Sequence, residues 1–319
     1  MLKIHFTDAD LERVTIAADA DPMWELLTSS YRIRRPEGEV LFGHWRRESR
    51  SAVSEAGRLL MSAVPAYGYC PDFLTPAGTR SIGDGVAAVL ATPERALTAD
   101  IAELATQGAR VPSWLRRVAD GDAWQLRRLG VALHDYYQQC VASTWSRIRQ
   151  VVAHDRLRLR SNLSRGGPQL LLSTLHPDIT WTPPVLRVRF PVEQDLHLNG
   201  RGLRVIPTFF GHGTPTTYKD PAMSPVLVQS LLHQRFDHDA EPGSSLAALL
   251  GRTRARVLVR IAISQCNTGK LAELINISPA TASQHASVLR ASGLITSYRA
   301  GKEQVHEVTE LGLSVIRAG

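Results

Sequence analysis

The chain has 319 residues with 44% hydrophobic side chains, enough for two domains with real cores and too long for one small one. A formal charge of +7 is compatible with a nucleic-acid partner without requiring one, and because all but four of the 37 basic residues are arginine it points as much to a G+C-rich bacterial genome. Cys70, Cys140 and Cys266 are odd in number, far apart and without a C-x-x-C pair, which argues against a disulfide framework or zinc knuckle and for a reducing cytoplasm; no apolar run approaches the ~20 residues of a membrane helix, and no apolar signal core follows Met1.

In chain order, residues 3–6 predict a short strand and 7–12 a turn or helix. Asp21 followed by Pro22 is a capping side chain before a proline at the first helical position, so a helix is expected over 22–31, with Trp24, Leu27 and Tyr31 at i, i+3 and i+7. Trp45 to Ala63 reads as a second helix and 67–76 as a loop rich in aromatics and proline. Further helices are expected near 81–91, 93–105, 112–120 and 121–139, the last continuing into 145–162. Arg147, Arg149, Arg156, Arg158 and Arg160 on that segment invite a nucleic-acid reading. Ile148, Val151, Val152 and Leu159 give it an apolar face, so a solvated or paired arginine face is the better reading. Gly83-Asp-Gly-Val-Ala-Ala88 matches G-x-G-x-x-A, but no apolar strand precedes it and no acidic residue follows at the dinucleotide spacing.

From Gly166 the pattern changes. Val185 to Phe190 alternates as a strand does. Residues 195–198 and 203–206 flank Asn199-Gly-Arg-Gly202, a hairpin signal, and 225–231 can form a further strand. The expected fold class is therefore α+β: a mainly helical N-terminal domain with a small antiparallel sheet over 1–240, a linker near 237–245, and a second domain over 246–319. Trp181, Phe209 and Phe210 near the sheet edge are the best candidates for an organic-effector pocket, although ordinary cores are lined in the same way. No P-loop or nucleophile elbow is present. His306-Glu-Val-Thr-Glu310 lacks the second histidine of a zinc protease, and His233, Asp237, His238 and Asp239 read as solvated groups near the linker. No catalytic residue, metal site or cofactor is expected.

The last stretch is the most informative. Helical runs are expected over 246–262, 270–275 and 278–292, then two strands, 294–299 and 304–308, joined by Ala300-Gly-Lys302. Ser278 and Pro279 start the third run, Ala282, Ala286 and Leu289 make its buried stripe, and Gly293 ends it. Thr281, Ser283, Gln284 and Ser287 point away from that stripe, in the N-terminal half where a recognition helix meets base edges. From Gly251 to Gly319 nine Lys/Arg stand against four Asp/Glu, and Ser278, Arg290, Arg299 and Lys302 are placed for phosphate contacts. His285, at the edge of the stripe, reads as a packed residue before it reads as a base contact.

Lys270-Leu-Ala-Glu-Leu-Ile275, Ser278-Pro-Ala-Thr-Ala-Ser-Gln-His285, Val288-Leu-Arg-Ala-Ser-Gly-Leu294 and Thr309-Glu-Leu-Gly312 together resemble the winged helix-turn-helix of ArsR-type bacterial repressors. The resemblance implies a homodimer that reads a palindromic operator in double-stranded DNA, with an effector that changes its grip. Metal-sensing members carry cysteines in the second helix or Asp/His/Glu in the last one. Residues 270–275 have no cysteine and 312–319 no ligand-type side chain, so a small organic effector is expected in place of a metal. The N-terminal part resembles, more loosely, an uncharacterised domain found ahead of ArsR-type modules in antibiotic-producing soil bacteria. Trp24-Glu-Leu-Leu27, Pro71-Asp-Phe-Leu-Thr-Pro76, Leu175-His-Pro-Asp-Ile-Thr-Trp181, Gly200-Arg-Gly-Leu203 and Ile206-Pro-Thr-Phe-Phe210 carry that likeness. The expectation is a cytoplasmic one-component transcription regulator without enzymatic activity. Its rivals are an enzyme with a vestigial DNA module and a protein-interaction adaptor.

Overall fold

A computed structural model describes residues 1–35, 39–66, 68–176, 178–211, 213–231, 244–263, 266–300 and 303–318. The chain divides into two units, Met1–Arg35 with Glu48–Leu231, and Pro36–Arg47 with Leu232–Gly319.

The first unit opens with β1 (Leu2–His5), α1 (Asp8–Glu12), β2 (Thr15–Ile16) and α2 (Pro22–Arg32). Local chemistry starts each helix. Thr7 and Asp10 form a reciprocal capping box on α1, and Asp21 accepts from the Met23 and Trp24 amides at the head of α2. In place of one helix over 45–63 there are two, α3 (Glu39–Ala52), of which only the part from Glu48 groups with this unit, and α4 (Glu55–Ala63), because Ser54 breaks the run and caps the second through the Gly57 amide. Then follow α5 (Ile82–Leu90), α6 (Glu94–Thr106), α7 (Ser113–Ala119) and α8 (Ala123–Tyr136). The G-x-G-x-x-A match lies within α5, where Gly85 is packed against Met23. A π-turn at Tyr137–Val141 and a 3-10 turn at Ala142–Thr144 carry α8 into α9 (Trp145–Ser173), which is interrupted at Gly166 and Gly167 ahead of Pro168.

Strands β3 (Ile179–Thr182), β4 (Val185–Val188), β5 (Gln194–His197), β6 (Arg204–Thr208) and β7 (Val226–Ser230) complete the unit. The expected single antiparallel sheet is corrected here. One sheet is mixed, in the order β3-β4-β1-β5, with β1 antiparallel to β4 and parallel to β5; the other, β2-β6-β7, is wholly parallel. The expected hairpin across 199–202 is also absent, since β5 and β6 belong to different sheets. The turn itself forms, with positive φ at Asn199, Gly200 and Gly202. It is anchored elsewhere: the Gly202 amide donates to the buried Asp10 (2.9 Å), and a Cβ on Gly202 would stand 2.3 Å from the Arg13 carbonyl oxygen. That close approach turns the chain toward β2 and away from β5. Leu2, Ile4, Leu186, Val188, Leu196 and Leu198 alternate inward from the mixed sheet onto Leu159, Leu171 and Leu172 of α9.

The second unit contains α10 (Ser244–Leu250), α11 (Arg252–Ile263), β8 (Cys266–Asn267), α12 (Thr268–Ile275), α13 (Pro279–Ala291), β9 (Ile295–Ala300), β10 (Glu303–Val308) and α14 (Glu310–Ala318). The run expected as one helix over 246–262 is broken at Gly251, which takes φ +79°. Strand β10 pairs with both β9 and β8 in antiparallel register. Val257, Leu258 and Ile261 of α11 form a core with Leu271, Ala272 and Ile275 of α12 and with Ala282, Ala286 and Leu289 of α13. Most of the linker expected over 237–245, with His233, Asp237, His238 and Asp239, lies outside the described residues. No helix among the described residues is long and apolar enough to cross a membrane.

Candidate nucleic-acid interface

Helices α12 and α13 are built with the same terminal chemistry. Asn267 caps α12 through the Lys270 amide (2.7 Å), and Ser278 caps α13 through the Thr281 amide (3.1 Å) with Pro279 at the first position. Each ends on a left-handed residue, Asn276 (φ 56°) and Gly293 (φ 69°). At both ends paired amide bonds close the helix: Ile277 to Ala272 (3.0 Å) with Asn276 to Glu273 (3.3 Å), and Leu294 to Leu289 (2.9 Å) with Gly293 to Arg290 (3.0 Å). A three-residue turn, Asn276 to Ser278, therefore joins two short helices, and the alanines on the inner face of α13 let it lie close against Leu271 and Ile275 of α12.

On α13 the buried stripe is Ala282, Ala286 and Leu289. Ser283, Gln284, Ser287 and Arg290 are exposed, and among the described residues Ser283, Gln284 and Ser287 make no intramolecular hydrogen bond. Ser278 is exposed and Thr281 half-buried; their hydroxyls lie 2.8 Å apart within the cap, so both serve the helix start first. Arg299 is exposed on β9, facing Gln304 across the hairpin. Lys302 lies outside the described residues. His285 is half-buried, and burial, with Arg254 nearby, holds its imidazole below the ordinary histidine range.

His306, considered in the sequence only as part of an incomplete zinc-protease motif, has a structural role instead. It is buried on β10, with Nε2 3.0 Å from the Thr268 hydroxyl on α12 and Nδ1 2.8 Å from the Ser297 hydroxyl on β9. One imidazole thus ties the hairpin to the first turn of α12. Burial, followed by the charge of Arg290, holds it below its ordinary value and so neutral at pH 7. Thr309 closes the other end of the hairpin, donating its hydroxyl to the Gly293 carbonyl (2.7 Å) and accepting from the Gly312 amide (3.0 Å).

The residues proposed to line an effector pocket are dispersed. Phe209 and Phe210 are buried just after β6, edge to face at 5.0 Å, and their amides donate to the fully buried Glu25 on α2 (2.6 and 3.1 Å). Trp181 stands on the other sheet, edge-on to Phe6 at 5.2 Å, with its indole N–H donating to Gln169. One further grouping resembles catalytic chemistry: Ser230 Oγ is 3.3 Å from His176 Nε2, and Asp178 Oδ2 is 3.8 Å from His176 Nδ1. The Asp178 amide, however, donates to Nδ1 (3.1 Å), which leaves the ring proton on Nε2 facing Ser230. In that tautomer the ring cannot take the serine proton.

Residues 251–297 match the model of a family described as bacterial regulatory protein, arsR family. The matched segment runs from the break at Gly251 through both helices into β9, and residues 1–250 fall outside it. The second unit thus carries an arsR-type helix-turn-helix, a module of DNA-binding transcription regulation. Comparison with curated proteins and with solved structures gave no match.

Proposed function

We infer that this chain is a cytoplasmic bacterial transcription regulator that binds a palindromic operator as a homodimer and answers to a small organic molecule through its N-terminal unit. The observation that carries the reading is α13: an alanine-lined back packed on α12, and an outward row of Ser283, Gln284 and Ser287 with no partner of their own among the described residues. Thr281, Ser283, Gln284 and Ser287 meet base edges in the major groove, while Ser278, Arg290, Arg299 and Lys302 hold phosphates, with β9 and β10 as the wing. In a dimer the two copies of α13 reach half-sites about 34 Å apart, and an effector acts by altering that separation. The Ser230–His176 pair, with its proton on the wrong nitrogen, gives an enzyme reading little support.

The test is fluorescence anisotropy with duplex DNA from upstream of the coding sequence, over a range of salt. Arg290→Ala with Arg299→Ala weakens binding to all sequences alike and flattens the salt slope by about one ion for each lost phosphate contact. An unchanged affinity and slope in the double variant removes these residues from the interface, and no binding at low salt by the parent protein ends the reading.

A further inference from the structure

Within the N-terminal unit, residues just after β2 and the first turns of α9 line an open surface cleft of about 740 Å³, a volume ordinary for small-molecule sites. Ala18 and Asp19 line one side. Trp145, Arg149, Ala153 and Arg156 line the other, at i, i+4, i+8 and i+11 of α9 and so on one face of the helix. Trp145 is braced edge-on by Tyr137 at 5.7 Å. Ala18, Ala142 and Ala153 leave the space in front of it open.

The two guanidinium groups differ in a way that matters. Arg149 is satisfied, its Nε and Nη2 donating to Asp19 Oδ2 at 3.0 and 2.7 Å. Arg156 is not: its Nε–H is shut off from water and has no acceptor. Burial pushes the Asp19 carboxyl up, but the Arg149 hydrogen bond, the Ala20 amide and the charges of Arg149 and Arg156 together hold it below the usual carboxylate range. Asp19 therefore stays ionised and committed to Arg149, and these three side chains leave a surplus positive charge at Arg156. Its two Nη groups are not shut off in this way and have no hydrogen-bonding partner among the described residues, so they are what Arg156 offers to the cleft. The group that fits a guanidinium fork is a carboxylate or another planar oxyanion.

We propose that this cleft is the ligand site of the N-terminal unit and that it takes a small organic anion, with a flat apolar body against Trp145 and the alanines and a carboxylate on Arg156. The proposal rests on the reading that this unit senses an organic molecule, and it moves the site away from Trp181, Phe209 and Phe210. A second cleft, of about 760 Å³ beside Trp124 and Val131, serves as the control, because Arg128 already covers the Trp124 ring at 4.8 Å.

The test is calorimetric titration of the full chain with 1-naphthoate, and with 1-naphthamide as its neutral counterpart. The parent protein binds naphthoate at least about tenfold more tightly than the amide, and Arg156→Met removes most of that preference. Ala153→Trp, at an exposed helical position, fills the cleft and abolishes binding, while Arg128→Met changes nothing. No binding at millimolar naphthoate, equal binding of the two probes, or full binding by both cleft variants overturns the proposal. DNA binding measured on the same samples separates the two readings. DNA binding without naphthoate binding sinks the cleft alone, and naphthoate binding without DNA binding at low salt sinks the regulator alone.

Discussion

Helices α2 and α13 begin the same way and end in opposite circumstances. Each has a short capping side chain followed by proline, Asp21-Pro22 and Ser278-Pro279, and they are of similar length. Helix α2 is buried nearly all round, and its hydroxyls and the Glu25 carboxyl turn inward and are satisfied there. The Thr28 hydroxyl donates to the Trp24 carbonyl (2.7 Å), that of Ser29 to Leu26 (2.7 Å) and that of Ser30 to Leu27 (2.7 Å), and Glu25 accepts from the amides of Phe209 and Phe210. Helix α13 buries only two alanines and a leucine, and its outer polar residues have no such partners. A capping signal therefore fixes where a helix starts and says nothing about its surroundings. What separates an architectural helix from one that reads a partner is whether its hydrogen-bonding groups are already spent inside the molecule.

The hardest way to break the contrast is at Glu25. Replacing it with alanine orphans two buried amides and costs on the order of 3–5 kcal/mol, read as lost hydrogen-exchange protection over 22–32 and 204–210 in the full chain. Burial, opposed by the Phe209 and Phe210 amides and reinforced by Asp21, pushes the Glu25 carboxyl up to about 8. Its native form thus keeps a proton that the unfolded chain loses near pH 4–5. The stabilising contribution is complete below the unfolded value and disappears as pH rises through the folded one. Glu25→Gln, neutral throughout, makes the fall in stability from pH 5 to 8 shallower; Asp72, pushed by burial to about 7, keeps the remainder with the same sign. An unaltered slope in the glutamine variant would mean that Glu25 is ionised in the native protein. His306 runs the other way, because its lowered value adds stability above the unfolded histidine range and loses it as pH falls.

A smaller effect comes from overfilling the back of α13. Ala286 is 2% exposed, and Ala286→Leu forces α12 and α13 apart at a cost of about 1–3 kcal/mol. Exchange protection falls over 268–294 and DNA binding is lost, while peptides from α2 keep theirs. Unchanged protection over 268–294 would mean that the stripe is not packed as tightly as the alanines imply.

Local signals were legible in the sequence because their partners lie within a few residues. The caps at Asp21 and Ser278, the stop at Gly293 and the inward alanines of α13 are all of this kind. What was hidden depends on distant pairings. Asn199 to Gly202 announces a turn correctly, yet which strands flank it as partners is decided by Asp10 and Arg13, almost two hundred residues away. Glu25 reads as a first-turn acid favouring the helix dipole, and only its burial beneath Phe209 and Phe210 gives it a different role. His306 meets hydroxyls on two separate elements, and the unsatisfied Arg156 sits in an arginine run that composition alone treats as solvated. Nothing in the sequence hinted that residues 36–47 belong with the C-terminal unit.

The smallest structural effect is the most discriminating. Gln284 is exposed, mid-helix and without an intramolecular hydrogen bond among the described residues, so Gln284→Ala changes stability by no more than about 0.5 kcal/mol. If its amide reads a base edge, the same change lowers affinity for the preferred sequence by about 1–3 kcal/mol and leaves binding to unrelated DNA nearly untouched. Unfolding by urea and competition binding on one preparation measure both quantities. A loss of stability without a loss of sequence preference would turn Gln284 into a second Glu25, a side chain serving the fold, and would erase the distinction between the two helices.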